Sequence, residues 1–263
     1  MSWPALDREL DLWLALERRA TLWWRDDDAC GDTPALRRLL VIARTHDVPV
    51  AVAAIPAKSA SALADAIAPF SQATIVQHGY AHANHAPPGE RGAELGNHRP
   101  LGERLDELAN GRQSLSRLFG GRFSAVLVPP WNRIDVDALP ALPSVGIHGV
   151  SCFGPRASAQ PHAGVAQVNA HVDPIAWRRD RAFIGEASAL LRLADHLRAR
   201  RLAEVDASEA TGILTHHLVF PEAAWEFLDT LFARTRLHAA VAWLDVHALF
   251  GAADAPAISF RSA

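Results

Sequence analysis

Two imidazoles four residues apart and a run of aspartates are the features of this chain that first suggest chemistry. His78 and His82 frame the segment His78-Gly79-Tyr80-Ala81-His82, and Asp26-Asp27-Asp28 follows the apolar run Thr21-Leu22-Trp23-Trp24-Arg25. Two neutral imidazoles and one carboxylate make a three-ligand set for a divalent ion, with positions left for water and substrate. The same set also suits iron(II). A second, adjacent acid is then free to take a proton from an attacking water. The four-residue spacing fits one side of a helical turn or the two ends of a tight loop, and the sequence leaves both open. Each feature also has a plain reading, since histidine pairs occur on helix surfaces and acids cap helices. Capping accounts poorly for the triplet, because Asp32 and Thr33 already cap the next helix.

The elements that must position these residues follow from periodicity. Leu6, Leu10, Trp13 and Leu14 recur at helical spacing, which predicts an amphipathic N-terminal helix over residues 4–19 lying on an apolar surface. Strands are expected at 21–25, 48–55, 73–77, 123–128, 145–152, 165–172 and 212–216. Helices are expected after Thr33-Pro34 and at 59–67, 103–118, 186–201 and 222–234. Regular strand–helix alternation without a linker or repeat predicts one α/β domain over residues 1–263, with a mainly parallel sheet that is either a barrel or doubly wound. Ligands in such folds sit at the carboxyl ends of strands. The expected strand ends carry Asp26-Asp27-Asp28, His78 to His82, Pro129-Pro130-Trp131-Asn132-Arg133, His171-Val172-Asp173-Pro174 and His216-His217. Their joint placement favours a metal-dependent hydrolase.

Composition narrows the alternatives. Lys58 is the only lysine among 26 cationic residues, so a Schiff-base enzyme would have to use a residue with no supporting pattern. Two cysteines, Cys30 and Cys152, against 13 histidines exclude a four-cysteine zinc site, an iron–sulfur cluster and a disulfide framework. A net charge of −3 gives no basic field for nucleic acid. No apolar run is long enough to span a bilayer, and acids stand where a signal peptide would have its apolar core. The expected location is cytoplasmic, with reduced thiols. The sequence leaves the oligomeric state open.

With these segments in view, the chain resembles the polysaccharide deacetylase, or NodB-homology, family (carbohydrate esterase family 4), over about Leu22 to His216. The closer likeness is to an atypical branch found with O-antigen and other surface-glycan biosynthesis. The resemblance implies a distorted (β/α) barrel and metal-dependent removal of an acyl group, usually acetyl, from an amino sugar. It puts Asp27 at the general-base position, Asp28, His78 and His82 at the metal, and His216 (in Leu214-Thr215-His216) at the general acid. Zinc comes first as the ion, with cobalt(II), nickel(II) and iron(II) as alternatives. Arg25, Tyr80, Pro130, Trp131, Asn132, Asp173 and Trp177 are implied to line the substrate site or support it. Trp131 and Trp177 would wall a sugar or acyl methyl, although rim packing explains Trp177 equally well. Trp23, Trp24, Trp225 and Trp243 read as core.

The departures are informative. Val128 stands where the family has the arginine that orients the base, and Ala176 where it has the aspartate that tunes the acid histidine. Arg25, Asp173, Arg178 and His171 are available substitutes, and sequence does not choose among them. On a regular strand Asp26 and Asp28 share a face and Asp27 points away, so the working pair Asp27 and Asp28 requires a turn, which Ala29-Cys30-Gly31 permits. His216 is preferred to His217 by strand alternation. Two other readings stay open: a metal-dependent amidase on a small non-sugar amide, and a degenerate glycan-binding domain.

Overall fold

The computed structural model describes residues 2–177 and 179–251. The strands are β1 (Ala20–Ala29), β2 (Val50–Ala54), β3 (Ala73–His78), β4 (Phe123–Val128), β5 (Gly149–Val150), β6 (Ala166–Gln167), β7 (Thr211–Thr215) and β8 (Val241–Trp243). The helices are α1 (Trp3–Ala15), α2 (Pro34–His46), α3 (Ser61–Ile67), α4 (Leu101–Phe119), α5 (Glu186–Arg201), α6 (Glu222–Leu237) and α7 (Val246–Phe250). All the ladders are parallel and run in the order β6-β5-β4-β3-β2-β1-β7, with β8 added to the start of β1. Single bridges, Phe153 to Ala170 and Val172 to Ile213, carry the chain from β6 back to β7. The result is a distorted (β/α) barrel with an irregular seam.

Strand alternation sorts β1 into two layers. Leu22 and Trp24 point outward into the main core, where they meet Leu36, Leu39, Leu40, Phe232 and other helix residues. Trp23 points inward and packs with Ala51, Ala53, Val76, Val126 and Phe250. By the same alternation Arg25 and Asp27 face the barrel interior and Asp26 faces the helix layer. Thr33 caps α2 by accepting from the Leu36 amide at 3.1 Å, with Pro34 in the first turn.

Two expectations are corrected, and one strand is added. The N-terminal helix stops at Ala15, short of residue 19, because Glu17 turns left-handed (φ 53°) and the Arg18 amide bonds back to Trp13 O. This is a Schellman-type stop made without glycine, the residue that usually announces one. The strands expected at 145–152 and 165–172 shrink to two residues each. Side chains take the backbone groups that a ladder would have used: the Cys152 amide donates to Asn169 Oδ1 at 2.9 Å and the Asn169 amide to Glu209 Oε1 at 2.8 Å. Finally, β8 is a real strand, too short at three residues to show a period. No described helix is long and apolar enough to cross a membrane.

Candidate metal centre

The carboxyl ends of β1 and β3 bring together Asp28, His78 and His82. Asp28 Oδ1 lies 3.1 Å from His78 Nε2 and 3.2 Å from His82 Nε2. Asp28 reaches them because β1 is irregular between Asp26 and Ala29 and Asp28 itself has φ 73°. The break in alternation therefore falls inside the triplet, one residue before the expected turn. Left-handed backbone at a residue other than glycine is uncommon and concentrates at functional sites. His82 repeats the pattern at φ 55°, closing a tight loop after β3, so the loop form of the histidine spacing is the one realised.

The donor chemistry suits a divalent ion. His78 Nδ1 donates to Val128 O at 2.9 Å, which leaves the Nε2 lone pair facing Asp28. The three donor groups lie within 4.8 Å of one another. Asp28 and His82 are partly open to solvent while His78 is buried, so the site has one accessible side. Burial works against charge on Asp28, but its bonds to His78 and His82 prevail and hold the carboxyl well below the usual carboxylate range.

Asp27 and His216 lie beside this set. Asp27 is ion-paired with Arg25, whose Nη2 donates to Oδ2 at 3.1 Å while Nε lies 2.9 Å from Oδ1, both side chains being buried. Arg25 also donates to Ser151 O, Ser151 Oγ and Cys152 O, and to Asn132 Oδ1 at 2.6 Å. Arginine thus orients the inward aspartate from the same strand, where the family pattern would bring it from position 128. Val128 contributes only its carbonyl. Asn132 adopts φ 56°, a conformation asparagine tolerates, and its side chain fixes Arg25.

His216 Nε2 lies 4.0 Å from Asp27 Oδ2, and the edge of Trp177 meets the His216 ring at 4.5 Å. Asp173 accepts from Trp177 Nε1 at 2.6 Å and from the Ile175 amide at 2.9 Å. His216 acts on it through space, without a described hydrogen bond between them. Burial keeps the Asp173 carboxyl above its ordinary range despite those contacts. His217 faces the other way, buried against Asp26, which also accepts from Thr215 Oγ1 at 2.6 Å. Trp131 and Trp177 expose 37% and 42% of their surface at this rim, whereas Trp23, Trp24 and Trp225 are buried and Trp243 is partly so. Trp131 also packs on His82, with ring centroids 4.4 Å apart. Pro130 is buried beneath the turn. Tyr80 has a main-chain role: its amide donates to Glu94 Oε2 and its carbonyl accepts from Ala57. A groove of 500 Å³, lined by Arg91, Asn97, His98, Asn132, Arg133 and Cys152 among others, adjoins the Arg25 network.

His171 is not part of this site. It stacks on His196 with centroids 3.6 Å apart and lies 3.3 Å from Glu209. This second cluster does not fit a metal. Imidazole lone pairs lie in the ring plane, so two nearly parallel rings, 22° apart, cannot both aim at one ion at about 2.0–2.1 Å. His171 Nδ1 also accepts the Gly212 amide at 3.0 Å, which places the proton of the neutral ring on Nε2. Burial pushes His196 down to about 2 and lowers His171, so both stay neutral. Arg178 lies outside the described residues. Sequence reasoning missed Glu94, which is buried and bonded to the loop between the two histidines.

No family model matches the chain, and no curated protein does. Solved structures do. A polysaccharide deacetylase described as putative, from Mycobacterium smegmatis, is 15% identical, with a TM-score of 0.65 over 89% of this chain and 90% of its own. A family 4 carbohydrate esterase from Streptomyces lividans, in complex with acetate, is 15% identical, with a TM-score of 0.54 over 85% of this chain and 91% of its own. A CE4 family pseudoenzyme from Bacillus anthracis is 17% identical, with a TM-score of 0.56 over 88% of this chain and 66% of its own. At such identities the likeness shows a shared fold, that of the CE4 polysaccharide deacetylases.

Proposed function

We propose that this chain is a metal-dependent hydrolase that removes an N-acyl group, acetyl first, from an amino sugar of a glycan or glycan precursor. The observation that carries the reading is the convergence of Asp28, His78 and His82 beside a fixed aspartate, Asp27, and a third histidine, His216, at the strand ends. A divalent ion held by those three residues, zinc first, would supply Lewis-acid activation of water and of the scissile carbonyl. Asp27 takes a proton from the attacking water at a carboxylate oxygen, and Arg25 keeps that oxygen aimed. His216 Nε2 gives a proton to the departing nitrogen, which then leaves as a neutral amine. The Asn132 amide is committed to Pro129 O, so Trp131 N–H is the amide of this turn left to meet the oxyanion. Exposed Trp131 and Trp177 suit the apolar faces of a sugar. Arg91 and Arg133 in the adjoining groove favour a substrate that also bears a carboxylate or phosphate. The rim and groove favour such a glycan over a small non-sugar amide.

The test pairs metal content with acetate release from N-acetylated glycans and nucleotide- or lipid-linked precursors. Asp27→Asn should keep its metal and lose roughly 10²–10⁴-fold in turnover. Asp28→Asn and His78→Ala should lose metal and turnover together. A protein that no added divalent ion activates, or a fully loaded Asp27→Asn variant that still turns over, overturns the reading.

A further inference from the structure

We infer that Glu94 is the positioning residue that holds His82 ready for metal, acting through the main chain of the loop between the two histidines. The inference rests on the reading of Asp28, His78 and His82 as metal ligands. Glu94 is 1% exposed. Its carboxylate accepts from the Tyr80 amide at 3.0 Å through Oε2, and from the Ala81 and Ala83 amides at 2.8 and 3.3 Å through Oε1. These amides bracket His82, whose left-handed backbone (φ 55°) is what turns its ring towards Asp28. Successive N–H groups converging on one anion form a nest, and here the anion is built into the protein.

Glu94 is itself held rigidly. The Ala93 amide donates to Asn84 Oδ1 at 3.0 Å, and Ala93 O accepts from the His85 amide. On the other side Leu95 O accepts from the Asp135 amide and from Arg104 Nη1. The arrangement also explains why residue 79 is glycine. A Cβ there would fall 1.9 Å from Glu94 Oε2 and 2.6 Å from the Pro130 ring, and Gly79 has φ 53°. The two histidines therefore depend on different supports. His78 is fixed by its strand and by Val128 O, while His82 sits in a loop against the Trp131 ring, and Glu94 is the side chain that gathers three amides of that loop.

Removing the carboxylate leaves three amides without their acceptor and frees the loop to leave its left-handed form. The site then keeps Asp28 and His78 but loses a preset third ligand. Outer groups that orient ligands typically account for 10–100-fold in metal affinity, so Glu94→Ala should weaken zinc binding by roughly that factor. Glu94→Gln, with one carbonyl oxygen and an amide group that cannot accept, should fall between it and the wild type.

The experiment measures zinc affinity by chelator competition, the cobalt(II) absorption spectrum of the loaded proteins, and the thermal midpoint of the metal-free proteins, for wild type, Glu94→Ala, Glu94→Gln and His78→Ala. The inference expects weaker zinc binding and an altered cobalt spectrum in both Glu94 variants. If Glu94→Ala fails to fold, Glu94→Gln carries the same test. A lower midpoint with unchanged zinc affinity and cobalt spectrum would make Glu94 a structural residue only and overturn the inference. Unchanged zinc affinity in His78→Ala would instead overturn the metal-site reading, and the inference with it.

Discussion

Replacing Arg25 by methionine tests a fully buried ion pair. The Arg25 side chain has 0% exposure and Asp27 has 2%, so neither charge has solvent to fall back on. The substitution keeps much of the apolar stem and removes the guanidinium that pairs with Asp27 at 2.9 and 3.1 Å. It also strips donors from Ser151, Cys152 and Asn132. Breaking a buried pair by removing one partner costs about 3–5 kcal/mol, because the remaining charge is left uncompensated. For a domain of this size about 2–4 °C of Tm accompanies each kcal/mol, which projects to a fall of roughly 6–20 °C. Thermal unfolding by circular dichroism and urea midpoints both read this directly. The double variant Arg25→Met/Asp27→Asn should regain part of the loss, since the stranded carboxylate is gone. Arg25→Lys should recover little, because one ammonium cannot serve Asp27, Ser151, Cys152 and Asn132 together. A cost below about 1 kcal/mol, the range of an exposed pair, would refute the reasoning. So would a double variant no more stable than Arg25→Met, since the cost would then not come from Asp27.

Two further outcomes follow from other parts of the barrel. His196 and His171 are buried neutral, with His196 pushed from 6.5 to about 2. A histidine whose folded value is depressed binds its proton more readily when unfolded, so its stabilising effect is complete above pH 6.5 and fades as pH falls towards 2. Stability should thus decline below about pH 6.5, each histidine adding a slope of up to about 1.4 kcal/mol per pH unit. His196→Gln should flatten that slope in urea titrations between pH 6 and 4, and an unchanged slope would count against a buried neutral His196. Gly212→Ala should destabilise by about 1–3 kcal/mol or more by overpacking, because its Cβ would meet Trp23 Nε1 at 2.5 Å and the main chain of Ala170 and Asn169 at 2.7 Å. Trp23→Phe should not rescue it, since the backbone contacts remain; a wild-type Tm for Gly212→Ala would show that the strands do not approach so closely.

How far the sequence could be read depended on whether a feature is periodic or local. The helices α2 and α4 were legible from their hydrophobic period, and the buried strands β2 and β4 from short, largely apolar runs. The placing of polar residues at strand ends followed from the fold class. Register at the aspartate triplet was not legible, because alternation fails at Asp28, where the backbone turns left-handed without a glycine to announce it. Arg25 was visible as one of several substitutes for the missing arginine, but only geometry shows that it and Asp27 share the inward face of β1. Glu94 left no trace, since it lies twelve positions beyond His82 in a loop and acts on amides that carry no sequence signal. His171 stood at an expected strand end and turned out to belong to a separate buried stack.

The bond from His78 to the carbonyl of Val128 has a consequence for how this centre can be damaged. A carbonyl belongs to every residue type, so no single amino-acid replacement at position 128 removes the acceptor. The lesion that would unseat His78 is a change in spacing: an insertion or deletion in β4 that slides a different carbonyl past the ring, or removes the pairing of His78 with Val128 altogether. The side chain at position 128 is constrained by the buried core it packs in, and the seat of His78 by the length of the strand, so the two can fail independently.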